Sequence, residues 1–227
     1  MNYKKEYSDF LSKIHFVNND MWWSDEDPLG YEYQKTTNSD FLKPVLPYFK
    51  GDSVAIQAGG NCGWVTRELA NYFQHVYTFE PDPLSFSCIC LNLPQGNVHK
   101  FQACLGNEHK LVDMAKDHGK HGTGADYVKI SETSKTKIPV ILIDDLNLDA
   151  CDFIQLDLEG YEYFALLGAE KTINKFKPIL WIERCWHHRF NITDEMFDNL
   201  LYNKWGYSYI GKFGKHDHVY GYQKSIR

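Results

Sequence analysis

The sequence has no C-x-x-C pair, no long apolar run and no excess of positive charge, and each absence excludes a class of protein. Its six cysteines (Cys62, Cys88, Cys90, Cys104, Cys151 and Cys185) are scattered. The closest two are two positions apart, which on a helix points them in different directions. The N-terminal residues Met1 to Tyr7 lack the apolar segment of a secretory signal. Together these features predict reduced thiols, used as small buried apolar residues, in a cytoplasmic protein. No run approaches the roughly 18 apolar residues of a membrane span, so none is expected. A formal net charge of -6 leaves no broad basic face, so nucleic acid is not an expected partner.

What is present is a globular composition. The 227 residues are 43% hydrophobic and 15% aromatic, enough for one domain with a sizeable core, or one domain with a small appendage.

The most informative stretch is Ser53 to Trp64, SVAIQAGGNCGW. Val54, Ala55 and Ile56 predict a short buried strand, and Gly59, Gly60 and Gly63 a turn that lets the backbone approach a ligand. A helical pattern follows, with Val65, Leu69, Tyr72 and Phe73 on one face. Strand, glycine turn and helix open a nucleotide-binding βαβ unit. His75 to Phe79 reads as the second strand and ends in Glu80-Pro81-Asp82-Pro83. Glu80 stands about twenty residues beyond Gly60, where a strand-end carboxylate accepts both hydroxyl hydrogens of a ribose. A helix from Pro83 and a third strand, Val98 to Ala103, complete a βαβαβ order, which predicts a parallel sheet with helices on its faces. Ligands on such sheets lie beyond the carboxyl ends of the strands, here Gln57 to Gly63, Glu80 and the Ala103-Cys104 turn.

Residues 1–50 predict an N-terminal appendage to a domain spanning 51–227. Tyr7, Phe10, Leu11 and Ile14 have the spacing of a short amphipathic helix. Residues 18–30 are turn-rich and carry Trp22 and Trp23; they pack over an edge of the core or close over a ligand as a lid. Asn38-Ser39-Asp40 predicts a cap for a helix through Phe41, Leu42 and Val45, closed by Pro47.

Residues 107–140 break the alternation, with short strands at 111–115 and 125–130 around a polar loop. His118 and His121 in that loop have metal-like spacing, but no cysteine or carboxylate cluster accompanies them, so no metal is expected. The pattern resumes at Ile138 and reaches Cys151 to Glu162, CDFIQLDLEGYE, a buried strand ending in three carboxylates and a glycine. A helix through Phe164, Leu167, Ile173 and Phe176 follows, then a strand, Ile179 to Ile182, ending in Glu183-Arg184-Cys185-Trp186-His187-His188. Acids at the ends of two adjacent strands form a polar cluster in apolar surroundings. Such clusters are costly unless they work.

These segments, taken in order, resemble the FkbM family of S-adenosylmethionine-dependent methyltransferases from about Gly51 to Glu183. Gln57-Ala58-Gly59-Gly60-Asn61-Cys62-Gly63 is similar to the family's acid-x-G-x-N-x-G loop. Phe79-Glu80-Pro81 resembles its F-E-P, and Ile143-Asp144-Asp145-Leu146 its L-D-D-L. Asp157-Leu158-Glu159-Gly160-Tyr161-Glu162 resembles its D-x-E-G-x-E, the most specific of the four. The resemblance implies an α/β fold of the Rossmann-like class I methyltransferase type: a mostly parallel seven-stranded sheet with helices on both faces. Its last strands would be Tyr207 to Ile210 and His218 to Tyr222. It implies that Gln57, Gly59, Gly60, Asn61 and Gly63 line the methionine part of S-adenosylmethionine. Glu80 with Pro81 would hold the ribose, Ala103 and Cys104 the adenine, and Asp157 and Glu159 would stand near the amino-acid moiety or the acceptor. The implied activity is O-methylation of a hydroxyl on a small molecule or glycan.

Two positions depart from the family pattern, Gln57 where an Asp is usual and Gln155 where a Lys is usual. An amide at position 57 cannot pair with a charged amine, a difference of ~1–2 kcal/mol. Transfer to a hydroxyl also needs a base with a pKa near the working pH, and Asp157, Glu159, His187 and His188 are the candidates. Two other readings stay open. Ala58-x-Gly60-x-x-Gly63 with Glu80 is one residue from the fingerprint of an NAD-type oxidoreductase, and Gln57 is compatible with a non-catalytic binding module of the same fold.

Overall fold

The computed structural model describes residues 3–37, 40–115, 127–129 and 137–222. The chain opens with helix α1 (Tyr3–Leu11), a hairpin of β1 (Ile14–Val17) and β2 (Met21–Ser24), and helix α2 (Gly30–Thr37). Then come β3 (Val54–Ala58), α3 (Trp64–Tyr72), β4 (His75–Phe79), α4 (Pro83–Asn92) and β5 (Val98–Phe101). Four short strands follow: β6 (Cys104–Leu105), β7 (Lys110–Ala115), β8 (Tyr127–Lys129) and β9 (Ile138–Ile141). The last part holds β10 (Phe153–Leu156), α5 (Glu162–Leu167), α6 (Glu170–Phe176), β11 (Ile179–Glu183), α7 (Asp194–Asp198), β12 (Tyr207–Phe213) and β13 (Asp217–Tyr222).

Seven strands form the central sheet in the order β12-β13-β11-β10-β3-β4-β5. From β11 to β5 every pairing is parallel, and β13 runs antiparallel between β11 and β12. β3 and β10 are buried at every position, which is why each reads as an apolar run broken by a single glutamine, Gln57 or Gln155. Their alternate side chains enter two cores. Ile56, Ile154, Leu156, Leu180 and Ile182 face Leu166, Ile173 and Phe197 of the later helices. Ala55, Val76, Phe153, Trp181 and Val219 face Leu69 and Phe73 of the α3 segment and Phe41, Leu42 and Val45 before β3. The predicted doubly covered parallel sheet is the observed one. A smaller sheet, β6-β9-β7-β8, stands beside it.

The N-terminal part differs from expectation in three places. Ile14 belongs to β1 and not to the first helix, residues 21–24 pair with β1 as a strand, and α2 was not foreseen. The helix expected over 41–45 is a series of turns leading to a single 3-10 turn, Leu46–Tyr48. Pro44 and Pro47 each remove a backbone donor within four residues, so the i to i−4 ladder shrinks to one bond, Leu46 N–H to the Leu42 carbonyl, among i to i−3 turns. Asp40 itself has a left-handed φ of 63°, and Asn38 and Ser39 lie outside the described residues. So do His118 and His121.

The helix expected through residues 164–176 is two, α5 and α6. Asp144 makes the break: its carboxylate accepts the Lys171 and Thr172 N–H groups at 2.9 and 2.8 Å, starting a new helix there. All six cysteines are free thiols, and no helix among the described residues is long and apolar enough to cross a membrane.

Candidate active site

Two turns meet at the carboxyl ends of β3 and β10. The first is the glycine turn. Gly59 has φ 81°, and a Cβ there would stand 1.9 Å from the carbonyl oxygen of Asp157, so only glycine lets the two turns touch. The N–H groups of Gly59 and Gly60 both point at the Phe79 carbonyl, each at 3.1 Å, and Gly63 N–H donates to the Gly60 carbonyl at 2.8 Å. Asn61, with a left-handed φ of 45°, donates its N–H to Glu80 Oε2 at 2.7 Å. The other oxygen of Glu80 accepts the Asp82 N–H at 2.8 Å, and Asp82 caps α4 through Leu84 and Ser85. Glu80 is therefore buried and oriented by two amides. Cys104 lies close enough to feel its charge, although burial does most to push that thiol up to about 12.

Gln57 is fully buried under this turn. Its Oε1 accepts the hydroxyls of Thr66 at 3.0 Å and Thr78 at 2.6 Å, and its Nε2 donates to the Gly59 carbonyl at 2.9 Å. The side chain thus ties α3, β4 and the glycine turn together. It does not project from the strand end toward a ligand.

The second is the acid turn. Asp157 N–H donates to the Ala58 carbonyl at 3.1 Å, fixing it beside the glycine turn. Glu162 Oε1 accepts the N–H groups of Leu158 and Gly160 at 2.6 and 3.2 Å, so this fully buried carboxyl shapes the loop. Burial pushes Glu162 up to about 8. Oxygens of Asp157, Glu159 and Glu183 lie within 4.8 Å of one another, Asp157 and Glu183 standing at the ends of the paired strands β10 and β11. Burial raises Asp157, with the charge of Asp217 behind it; burial and then the charge of Asp157 raise Glu183. Carboxyls this close hold a proton between them, or a cation in its place.

Asp217 reaches the group because β13 pairs antiparallel with β11, setting it opposite Glu183. Its Oδ1 accepts Trp181 Nε1–H at 2.9 Å. Tyr33 of α2 approaches from the other side. After desolvation, the charges of Asp217 and Asp157 contribute most to raising its hydroxyl.

A family model described as the methyltransferase FkbM domain matches residues 58–209, which takes in both turns. The chain belongs to the FkbM methyltransferase family. Its fold is similar to the crystal structure of a methyltransferase FkbM from Methylobacillus flagellatus KT, with a TM-score of 0.52 at 19% identity. That likeness covers 75% of this chain but only 44% of the other, so the chain spans less than half the length of that relative. Weaker likenesses include the N-methyltransferase NodS from Bradyrhizobium japonicum WM9 (TM-score 0.42, 11% identity, 87% of this chain and 96% of that one). Another is an rRNA methylase from Streptococcus thermophilus (TM-score 0.41, 14% identity, 80% and 93%). Among curated proteins none matches the chain.

Within this FkbM domain the structure brings together Gly59, Gly60, Asn61, Glu80, Asp157 and Glu159 at neighbouring strand ends. Gly63 caps the start of α3, Pro81 follows Glu80, and Ala103 and Cys104 are buried where the chain passes from β5 into β6. The two histidines stand apart from the acids. His187 packs edge-on against Phe197, with Nε2 3.7 Å from Asp194, and burial lowers its pKa. His188 is exposed. Arg189 stands 4.0 Å from Glu159 and stacks on Trp186, whose backbone, with the His187 N–H, packs directly on Gly160 of the acid turn.

Sequence reasoning gave no role to Asp217, Tyr33 or Asp27, and did not single out Glu183 beyond its place at a strand end. Glu183 was within reach as an acid ending the strand next to Asp157. The others depend on pairings that spacing does not reveal.

Proposed function

We propose that this chain is an S-adenosylmethionine-dependent O-methyltransferase acting on a hydroxyl of a small molecule or glycan. The observation that carries the reading is the cluster of Asp157, Glu159 and Glu183, their oxygens within 4.8 Å of one another, set against the glycine turn at the ends of adjacent central strands.

The residues present suit the cofactor. Glu80 is a buried carboxylate held by two amides, ready to accept ribose hydroxyls. Asn61 Oδ1 is buried and has no hydrogen-bond partner among the described residues, an acceptor left over for a donor from outside the chain. The turn's N–H groups at 59, 60, 61 and 63 are all spent internally, which suits a ligand with no pyrophosphate and speaks against a dinucleotide.

S-adenosylmethionine, when bound, supplies a methyl group on a sulfonium centre. The chain's part is to place the acceptor oxygen in line and to take its proton. Asp157 Oδ receives that proton as the oxygen–methyl bond forms, its basicity raised toward the working range by burial and then by the charge of Asp217. Two exposed aromatics suit a sugar ring: Tyr33, close enough to feel the charges of Asp217 and Asp157, and Trp186, whose backbone packs on Gly160 of the acid turn.

Calorimetry or thermal shift with S-adenosylhomocysteine, with NAD as control, tests the reading. At a hundred times its dissociation constant, a bound ligand adds about 2.7 kcal/mol of stability. Binding of S-adenosylhomocysteine alone supports it. Silence toward both would sink it, and binding without transfer to any hydroxyl acceptor would favour a binding module.

A further inference from the structure

Asp27 lies before the matched FkbM segment, in the link between β2 and α2, yet its side chain ends in the glycine turn. It is 3% exposed, and its Oδ2 accepts Asn61 Nδ2–H at 3.1 Å. The fit is close: a Cβ on Gly30 would stand 1.9 Å from the same oxygen, so glycine at 30 makes room for this carboxylate.

Several ties fix the placement. Asn92 of α4 exchanges two hydrogen bonds with the backbone of Trp22 and gives a third to the Cys62 carbonyl, joining the hairpin to the turn. Trp23 Nε1–H donates to the Asp27 carbonyl at 2.8 Å. Tyr31 stands edge-on to Trp64 and donates its hydroxyl hydrogen to Asp20, which also holds Arg67 at 2.7 Å.

The carboxylate of Asp27 accepts from a neutral group, the Asn61 amide, while the Trp23 indole and the Gly30 N–H donate to its backbone carbonyl. A carboxylate taken out of water with neutral donors alone is costly unless a cation completes it. Beside it, Asn61 presents its unpartnered Oδ1. A carboxylate from the N-terminal segment and a spare amide carbonyl on the glycine turn, joined by the Asn61 Nδ2–H bond, form an acceptor pair matched to an ammonium group. Gln57, at the strand end, is neutral and already bonded on both its atoms.

We infer that Asp27, with Asn61 Oδ1, binds the α-ammonium of the cofactor's methionyl part. This rests on the S-adenosylmethionine reading above. The chain's N-terminal segment would thus supply the negative charge that the glycine turn lacks, making Asp27 a cofactor-binding residue.

The test is calorimetry on the full chain with S-adenosylhomocysteine and its desamino analogue, which differ only in the amino group. Wild type should bind the analogue at least about tenfold more weakly, the size of one charge-assisted hydrogen bond. In D27N the two ligands should bind nearly alike, because affinity for the parent falls while that for the analogue holds. Equal binding of both by wild type overturns the inference whether or not D27N folds. So does a D27N variant that keeps the wild-type preference, or loses both ligands equally. Wild type that binds neither sinks the cofactor reading itself.

Discussion

The glycine turn and the acid turn sit side by side at the ends of two strands buried at every position, but they use their polar groups in opposite ways. After β3, Gln57, Thr66, Thr78, Glu80 and the backbone amides form a closed set of bonds. After β10, Asp157, Glu159 and Glu183 are crowded with like charges nearby, and Glu162 and Glu183 each keep a buried oxygen with no hydrogen-bond partner among the described residues. A closed set holds a shape. A crowded set of acids stores affinity for protons or cations, and a mobile proton is what transfer to a hydroxyl needs.

The contact between the turns is the first thing to break. Gly59→Ala drives a methyl group into the Asp157 carbonyl at a left-handed φ, and should cost more than about 4 kcal/mol in urea unfolding, or prevent folding. A wild-type midpoint would mean that the turns are not in contact.

Asp157→Asn tests the functional half. Turnover should fall by roughly 10²–10⁴-fold, the usual worth of a general base, while affinity for S-adenosylhomocysteine changes little. Stability should hold or rise, because one member of a crowded acid set is gone.

Glu162→Gln sharpens the acid side through pH. Glu162 titrates at about 8 in the fold against 4.5 for the free side chain, so the fold favours its neutral form. That contribution is complete below pH 4.5 and is lost as pH rises through about 8, a fall on the order of a few kcal/mol in wild type. E162Q cannot ionise and should flatten the profile. A slope that survives in E162Q belongs to the other carboxyls that burial raises, Asp157 and Glu183 with Asp217 and Asp27.

The smallest effect falls on the closed side. Gln57→Leu keeps the volume but strands the Thr66 and Thr78 hydroxyls, and should cost about 1–3 kcal/mol in denaturant midpoint. Its effect on ligand affinity should come only through the shape of the turn. A large loss of affinity at unchanged stability would return Gln57 to direct cofactor contact.

How much of this was legible in the sequence follows from the range of each interaction. β3 and β10 were readable because strands covered on both faces are mostly apolar, Gln57 and Gln155 being their one polar residue each, and the turns after them because glycines and acids stand out at strand ends. Gln57 looked like a weakened ligand contact because its partners lie on α3 and β4, which spacing cannot bring together. Asp217 joins the acids only through the antiparallel register that puts it opposite Glu183. The 41–45 helix was expected because a cap signal and apolar residues outweighed Pro44. Asp27 carries no periodicity and no motif; its meaning comes from Asn61, thirty-four residues away.

The hairpin has a practical consequence for anyone trimming this protein to its recognisable segment. Ile14, Met21, Trp23 and Tyr31 bury Cys62, Trp64, Leu84 and Cys88 in one apolar cluster. A chain begun at residue 51 would keep every strand of the main sheet but leave that face of α3 and α4 bare to water. Such a fragment should be sticky and poorly expressed, because the unit that folds is larger than the unit that is recognised.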